Sequence, residues 1–283
     1  MKRIVVCDSG LGGLNIAARF FAGHLRKTAP ECELVYFNAY PEAGRGFNKL
    51  PSEQRQEEVL RDVFVGIGRF APDRCLIACN TLSIVWERLK TWYAPEFPVA
   101  GIVDAAVGGM AAALNREPEA ALLILGTKST VASGMYPARL AAAGIDLGRV
   151  RSLGAPGLAT LLESDPAAPE VRARIAECAA GAEALFETRP KKLLLGLCCT
   201  HFGFAAPLWL EEFDRRFPNV ELVNPNDLLG AEFSARKFSY HSRIDFFPGA
   251  REHMSAYFES SAPEIAAALR AARPEPDLFE FKG

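Results

Sequence analysis

Short apolar runs alternate with longer stretches of helical periodicity along most of this chain, and that rhythm limits the possible folds more than any other feature. KKLLLGLC (191–198) is the plainest run, nearly continuous in apolar residues, as suits a strand covered by helices on both faces. RIVVCD (3–8), ELVYFN (33–38), RCLIAC (74–79), FPVAGI (97–102), AALLILG (120–126) and VELVN (220–224) read as further strands. Between them the spacing predicts helices over LNIAARFFAGHLRK (14–27), SEQRQEEVLRDVFVGIGRF (52–70) and VRARIAECAAGAEALFE (171–187). Strands and helices in alternation build parallel βαβ units, so the expected class is α/β with mainly parallel sheets.

The pattern divides into two similar halves. In the first, one strand ends in DSGLGG (8–13) and another in CNT (79–81); in the second, the endings are GTKST (126–130) and CTH (199–201). Each half thus offers one turn rich in Ser, Thr or Gly and one turn bearing a thiol. In open α/β sheets the carboxyl edge of the strands is where ligands bind. The expectation is two α/β domains, 1–98 with 226–283 and 99–225, carrying an active site in a shared cleft. IVDAAVGG (102–109) suits the crossover, and the return falls near NPNDLLG (224–230). A chain of 283 residues has room for both.

Several function classes recede on composition. The formal charge of −2 gives no basic field for nucleic acid or an acidic membrane. No apolar stretch approaches the roughly 18 residues of a membrane span, and the amino-terminal run is too short for a signal-peptide core, which points to the cytoplasm. Seven cysteines with no export signal argue for reduced thiols rather than a disulfide framework. Cys7, Cys32, Cys75, Cys178 and Cys198 read as small buried hydrophobes.

Cys79 and Cys199 invite more. A zinc site built from Cys198, Cys199 and His201 would need neighbouring strand residues on one face, whereas they point to opposite faces. Vicinal cysteines also lack the CxxC geometry of redox exchange. Around Gly10, Gly12 and Gly13 the dinucleotide GxGxxG spacing fails at Asn15, and no GK[ST] follows. Acid–base chemistry fits better. A thiol titrates near neutrality beside a histidine or a helix N-terminus, and Asn80, Thr81, Ser83, Thr200 and the adjacent backbone N–H groups suit a carboxylate. One thiolate can take a proton from a stereocentre while the opposite thiol returns one, with His201 serving Cys199 and Asp8 serving Cys79. Taken alone, His201 reads first as a satisfied structural histidine, and Asp8–Ser9 could be a helix cap.

DSGLGGLN, IACNTLS, LGTKSTVASGMY, APGLATLLE and LGLCCTHF occur in an order and spacing that resembles the glutamate racemases, within the cofactor-independent aspartate/glutamate racemase superfamily. The resemblance covers essentially the whole chain. It implies two α/β domains related by a pseudo-twofold, usually a homodimer, and a small amino-acid or dicarboxylate substrate. Pyridoxal phosphate, nucleotide and metal are not implied. Cys79 would act on the D-enantiomer and Cys199 on the L-enantiomer, assisted by Asp8 and His201. Glu163 matches a glutamate that supports that histidine, the alternative being a solvent-facing helix residue. Ser9, Asn80, Thr81 and Thr200 match substrate-holding positions, and Thr130 falls in the TKST turn. The product implied is D-glutamate for the bacterial cell wall.

YFNAYPEAGRGFN (36–48) departs from the family pattern. Where the resemblance implies an acidic residue and then Pro-Tyr-Gly gripping the distal carboxylate, this chain has Ala39 and Gly44-Arg45-Gly46; the family's Tyr-Pro after CTH is Phe202-Gly203. Arg45, with Gly46 beside it, offers a bidentate carboxylate clamp or is a surface arginine. Three readings stay open: a glutamate racemase; an aspartate or other-acid racemase, isomerase or decarboxylase of the superfamily; and a non-catalytic dicarboxylate-binding relative.

Overall fold

A computed structural model of the chain describes residues 1–21 and 30–282. The strands among the described residues are β1 (Lys2–Asp8), β2 (Glu31–Asn38), β3 (Arg74–Ile77), β4 (Val99–Gly101), β5 (Ala121–Gly126), β6 (Val150–Gly154), β7 (Leu193–Cys198), β8 (Val220–Val223) and β9 (Ser234–Ser242). The chain divides into two compact units, Met1–Ile102 with Leu229–Gly283, and Val103–Leu228.

The first unit holds a five-stranded parallel sheet in the order β4-β3-β1-β2-β9. β1 is central because its apolar run is buried throughout; Ile4, Val5, Val6 and Cys7 have no exposed surface. Helix Glu53–Gly68 begins where Ser52 accepts a hydrogen bond from Arg55 N, and Val59, Leu60, Val63, Phe64 and Ile67 line its buried face. Each such side chain, fully buried, is worth about 1.5–3 kcal/mol. The C-terminal Leu278 and Phe279 join that core. A Cβ on Gly66 would lie 2.5 Å from the Leu278 carbonyl oxygen, so the absence of a side chain there is what lets the tail pack.

The second unit holds a four-stranded parallel sheet in the order β6-β5-β7-β8. Leu193, Leu194, Leu195 and Leu197 are wholly buried, as the run in β7 required. Strand for strand this order repeats β2-β1-β3-β4 of the first unit. In both, the chain leaves the first strand to one side and returns on the other, placing a topological switch point between β1 and β3 and between β5 and β7.

The α/β class and its parallel sheets match the sequence reading, with local differences. β6 and β9 are additional strands. β3 and β4 are shorter than their apolar runs because flanking residues turn away from the ladder, and the helices near 52–70 and 171–187 span Glu53–Gly68 and Pro169–Glu183. Of the helix expected over 14–27, Leu14–Arg19 is helical, and positions 22–29 lie outside the described residues. No helix among the described residues is long and apolar enough to cross a membrane.

Candidate active site

The switch point of the first unit gathers Asp8, Ser9 and Cys79. Register pairs Cys7 with Ile77, and Ala78 N donates to the Cys7 carbonyl at 2.8 Å, so Asp8–Ser9 and Ala78–Cys79 leave the sheet side by side. Cys79 Sγ lies 3.1 Å from Ser9 Oγ. The same sulfur caps helix Asn80–Leu89, accepting from Leu82 N at 3.5 Å. A helix N-terminus carries partial positive charge, which favours a thiolate over a thiol. Asn80 and Thr81 form the first helical turn and are buried. Asp8 is 1% exposed, and a Cβ on Gly13 would sit 2.9 Å from its Oδ2, so only glycine permits that approach.

The loop after β2 forms the neighbouring wall. Ala39 N donates to the Asp8 carbonyl at 2.7 Å. Asn38 donates to the Tyr240 hydroxyl at 3.1 Å and accepts from Tyr40 N at 3.0 Å, which fixes the start of the loop. Gly46 packs on the Tyr40 ring. Arg45 is exposed and pairs with Glu42 at 3.4 Å across a tight turn through Gly44, whose φ is +76°.

The switch point of the second unit gathers Thr130, Cys199, Thr200, His201 and Glu163. Gly126 pairs with Cys198, so the TKST and CTH turns leave adjacent strand ends. Thr127 caps the short helix Lys128–Ala132, and its Oγ1 lies 2.9 Å from that of buried Thr130. Cys199 is extended, with φ −149°, and a 3₁₀ segment Thr200–Ala205 follows where the sequence suggested a helix start. Cys199 Sγ lies 4.0 Å from His201 Nδ1, and His201 Nε2 lies 2.6 Å from Glu163 Oε2. Glu163 is buried on helix Leu158–Ser164, not solvent-facing. Burial opposes charge on His201, but the hydrogen bonds to Cys199 and Glu163 outweigh it and hold the imidazole well above its ordinary value.

The remaining cysteines differ in kind. Burial raises Cys7 and Cys75 far above the ordinary thiol range and Cys32 and Cys178 to about 11. Burial, partly offset by the Tyr136 hydroxyl, takes Cys198 to about 12. These thiols stay protonated at neutral pH. No group of three or more His, Cys, Asp or Glu side chains suited to a metal comes together among the described residues. Two contacts were not foreseen: Ser9 touches the thiol itself, and Asn226 donates to the Thr200 carbonyl at 3.1 Å. Only the proximity of Asn226 to the β8 end hinted at the second.

No protein-family model matches the chain. Among curated proteins it is 28% identical over 200 residues to the glutamate racemase of Streptococcus gordonii, covering 69% of this chain and 67% of the relative. It is 26% identical over 259 residues to that of Streptococcus pyogenes serotype M1, covering 91% and 89%. Among solved structures, a glutamate racemase isoform from Bacillus anthracis superposes with a TM-score of 0.68 at 19% identity, covering 91% of this chain and 94% of that one. An aspartate racemase from Picrophilus torridus does so at 0.51 and 12%, covering 98% of each. The structural likenesses establish the fold.

Proposed function

We propose that this chain, a divergent relative of the glutamate racemases, is an isomerase that interconverts L- and D-glutamate by proton transfer at the α-carbon between Cys79 and Cys199. The observation that carries this reading is that each thiol has its own controlling neighbours: Ser9 and a helix N-terminus at Cys79, and the His201–Glu163 pair at Cys199. One thiolate takes the α-proton, breaking C–H and forming S–H; the other thiol gives its proton to the opposite face of the carbanion and becomes the thiolate. Asp8 assists Cys79, and Glu163 orients His201 and supports its charge while His201 assists Cys199. The hydroxyls and amide of Ser9, Asn80, Thr81, Thr130 and Thr200 hold the substrate's carboxylate and ammonium groups. This chemistry needs no cofactor. A cytoplasmic homodimer supplying D-glutamate to the cell wall fits this reading.

A second reading, aspartate or another acid as substrate, is favoured by the loop after β2, where Ala39 is buried and Arg45 turns to Glu42. The deciding experiment is proton NMR in deuterated buffer with L-glutamate and then D-glutamate. Loss of the α-proton signal from both, with optical rotation decaying to zero, supports glutamate. Retention of both signals with a folded protein rejects glutamate and moves the test to aspartate.

A further inference from the structure

We infer that Asn226 is a positioning residue for the thiol turn of the second unit: its side-chain amide holds the Thr200 carbonyl and thereby sets Cys199 against His201. The inference deepens the racemase reading by naming what aligns one of its two thiols. Asn226 lies in the 3₁₀ turn Pro225–Asp227 just beyond β8, and β8 pairs with β7, which leads into Cys199. It is 2% exposed. Its Nδ2 donates to the Thr200 carbonyl at 3.1 Å, and its backbone N–H donates to Asn224 Oδ1 at 3.3 Å.

The amide cannot be turned round, since that would set a carbonyl oxygen against a carbonyl oxygen. In the orientation that serves Thr200, Asn226 Oδ1 is buried with no hydrogen-bond partner among the described residues. A stranded acceptor costs at least as much as a neutral hydrogen bond returns, so stability alone does not explain an amide here. The Thr200 carbonyl belongs to the peptide that joins Thr200 to His201, so fixing it fixes the plane from which the imidazole departs. The 4.0 Å contact between Cys199 and His201 is already at the long end for a sulfur hydrogen bond, and a small rotation of that peptide would break it.

Alkylation kinetics with iodoacetamide test this without substrate, each thiol being followed by mass spectrometry of its own peptide. Asn226→Leu is near-isosteric and removes both the donor and the stranded acceptor. It should melt no lower than the parent, and the pH midpoint of Cys199 alkylation should differ from the parent's by about half a unit or more, because the His201 imidazole no longer faces the sulfur. The midpoint for Cys79, in the same molecules, should not move. The midpoint separates thiolate formation from mere access. Asn226→Asp keeps the shape and loses the donor, and should move the Cys199 midpoint in the same sense; it serves if the leucine variant does not fold. An unchanged Cys199 midpoint in whichever variant folds overturns the inference. So do equal shifts at both thiols with a lower melting temperature, which mark a purely structural role. Because alkylation needs no turnover, these outcomes are independent of whether glutamate is the substrate.

Discussion

The turns that carry Cys79 and Cys199 occupy the same point of the same strand order, yet they are polarised by different means. Cys79 sits on the N-terminus of a ten-residue helix with a hydroxyl 3.1 Å away. Cys199 precedes a 3₁₀ segment to which its side chain gives no capping hydrogen bond, and has instead a buried imidazole held by a buried carboxylate. On the proposed two-base reading, the two proton-transfer groups need not share a device: a helix N-terminus stands beside one and a buried imidazole beside the other.

The largest effect should come from removing either thiol. Cys79→Ala and Cys199→Ala, assayed separately by chiral chromatography, should each lower racemisation about a thousandfold or more, since a two-base path cannot run on one base. Near-normal inversion in either variant would break the pairing of the two turns. Glu163→Gln should then separate the turns, lowering kcat about a hundredfold through His201 alone. Ser9→Ala, which removes a neutral neighbour of Cys79, should cost about fivefold; a larger loss for Ser9→Ala than for Glu163→Gln would reverse the order of importance drawn here.

A stability measurement sharpens the same contrast. The folded value of His201 is raised above its unfolded value, so its contribution is fully present below about pH 6.5 and is lost as pH rises through the folded value. Cys199 and Glu163 together produce that elevation, so Glu163→Gln should melt about 3 °C below the parent at pH 6, with the gap narrowing as pH rises through the folded value. A gap that widens with pH would contradict the charged imidazole. The smallest effect belongs to Arg45→Ala. An exposed pair such as Arg45–Glu42 contributes little, and KM should change less than about twofold. A tenfold rise in KM would instead make Arg45 the carboxylate clamp.

How much of this was legible in advance varies by element. The runs in β1, β5 and β7 announce themselves because both faces of each strand are buried. β9 does not, since SARKFSYHS is an edge strand of mixed polarity that becomes a strand by pairing with β2, where the Tyr36 and Tyr240 rings stack at 5.6 Å. Glu163 was ambiguous in the sequence because a short helix can turn either face inwards. Packing of helix Leu158–Ser164 beside the Thr200–Ala205 segment decided it.

The sequence by itself determined two parallel-sheet units and set a thiol turn at a strand end in each, because apolar runs and turn residues act over a few neighbouring positions. Only the tertiary structure decided what governs each thiol. Ser9 reaches Cys79 across 70 positions and Glu163 reaches His201 across 38, and burial sets the strength of both contacts. Hydrogen bonds of that span, and the exclusion of water around them, exist only once the sheets and helices have packed.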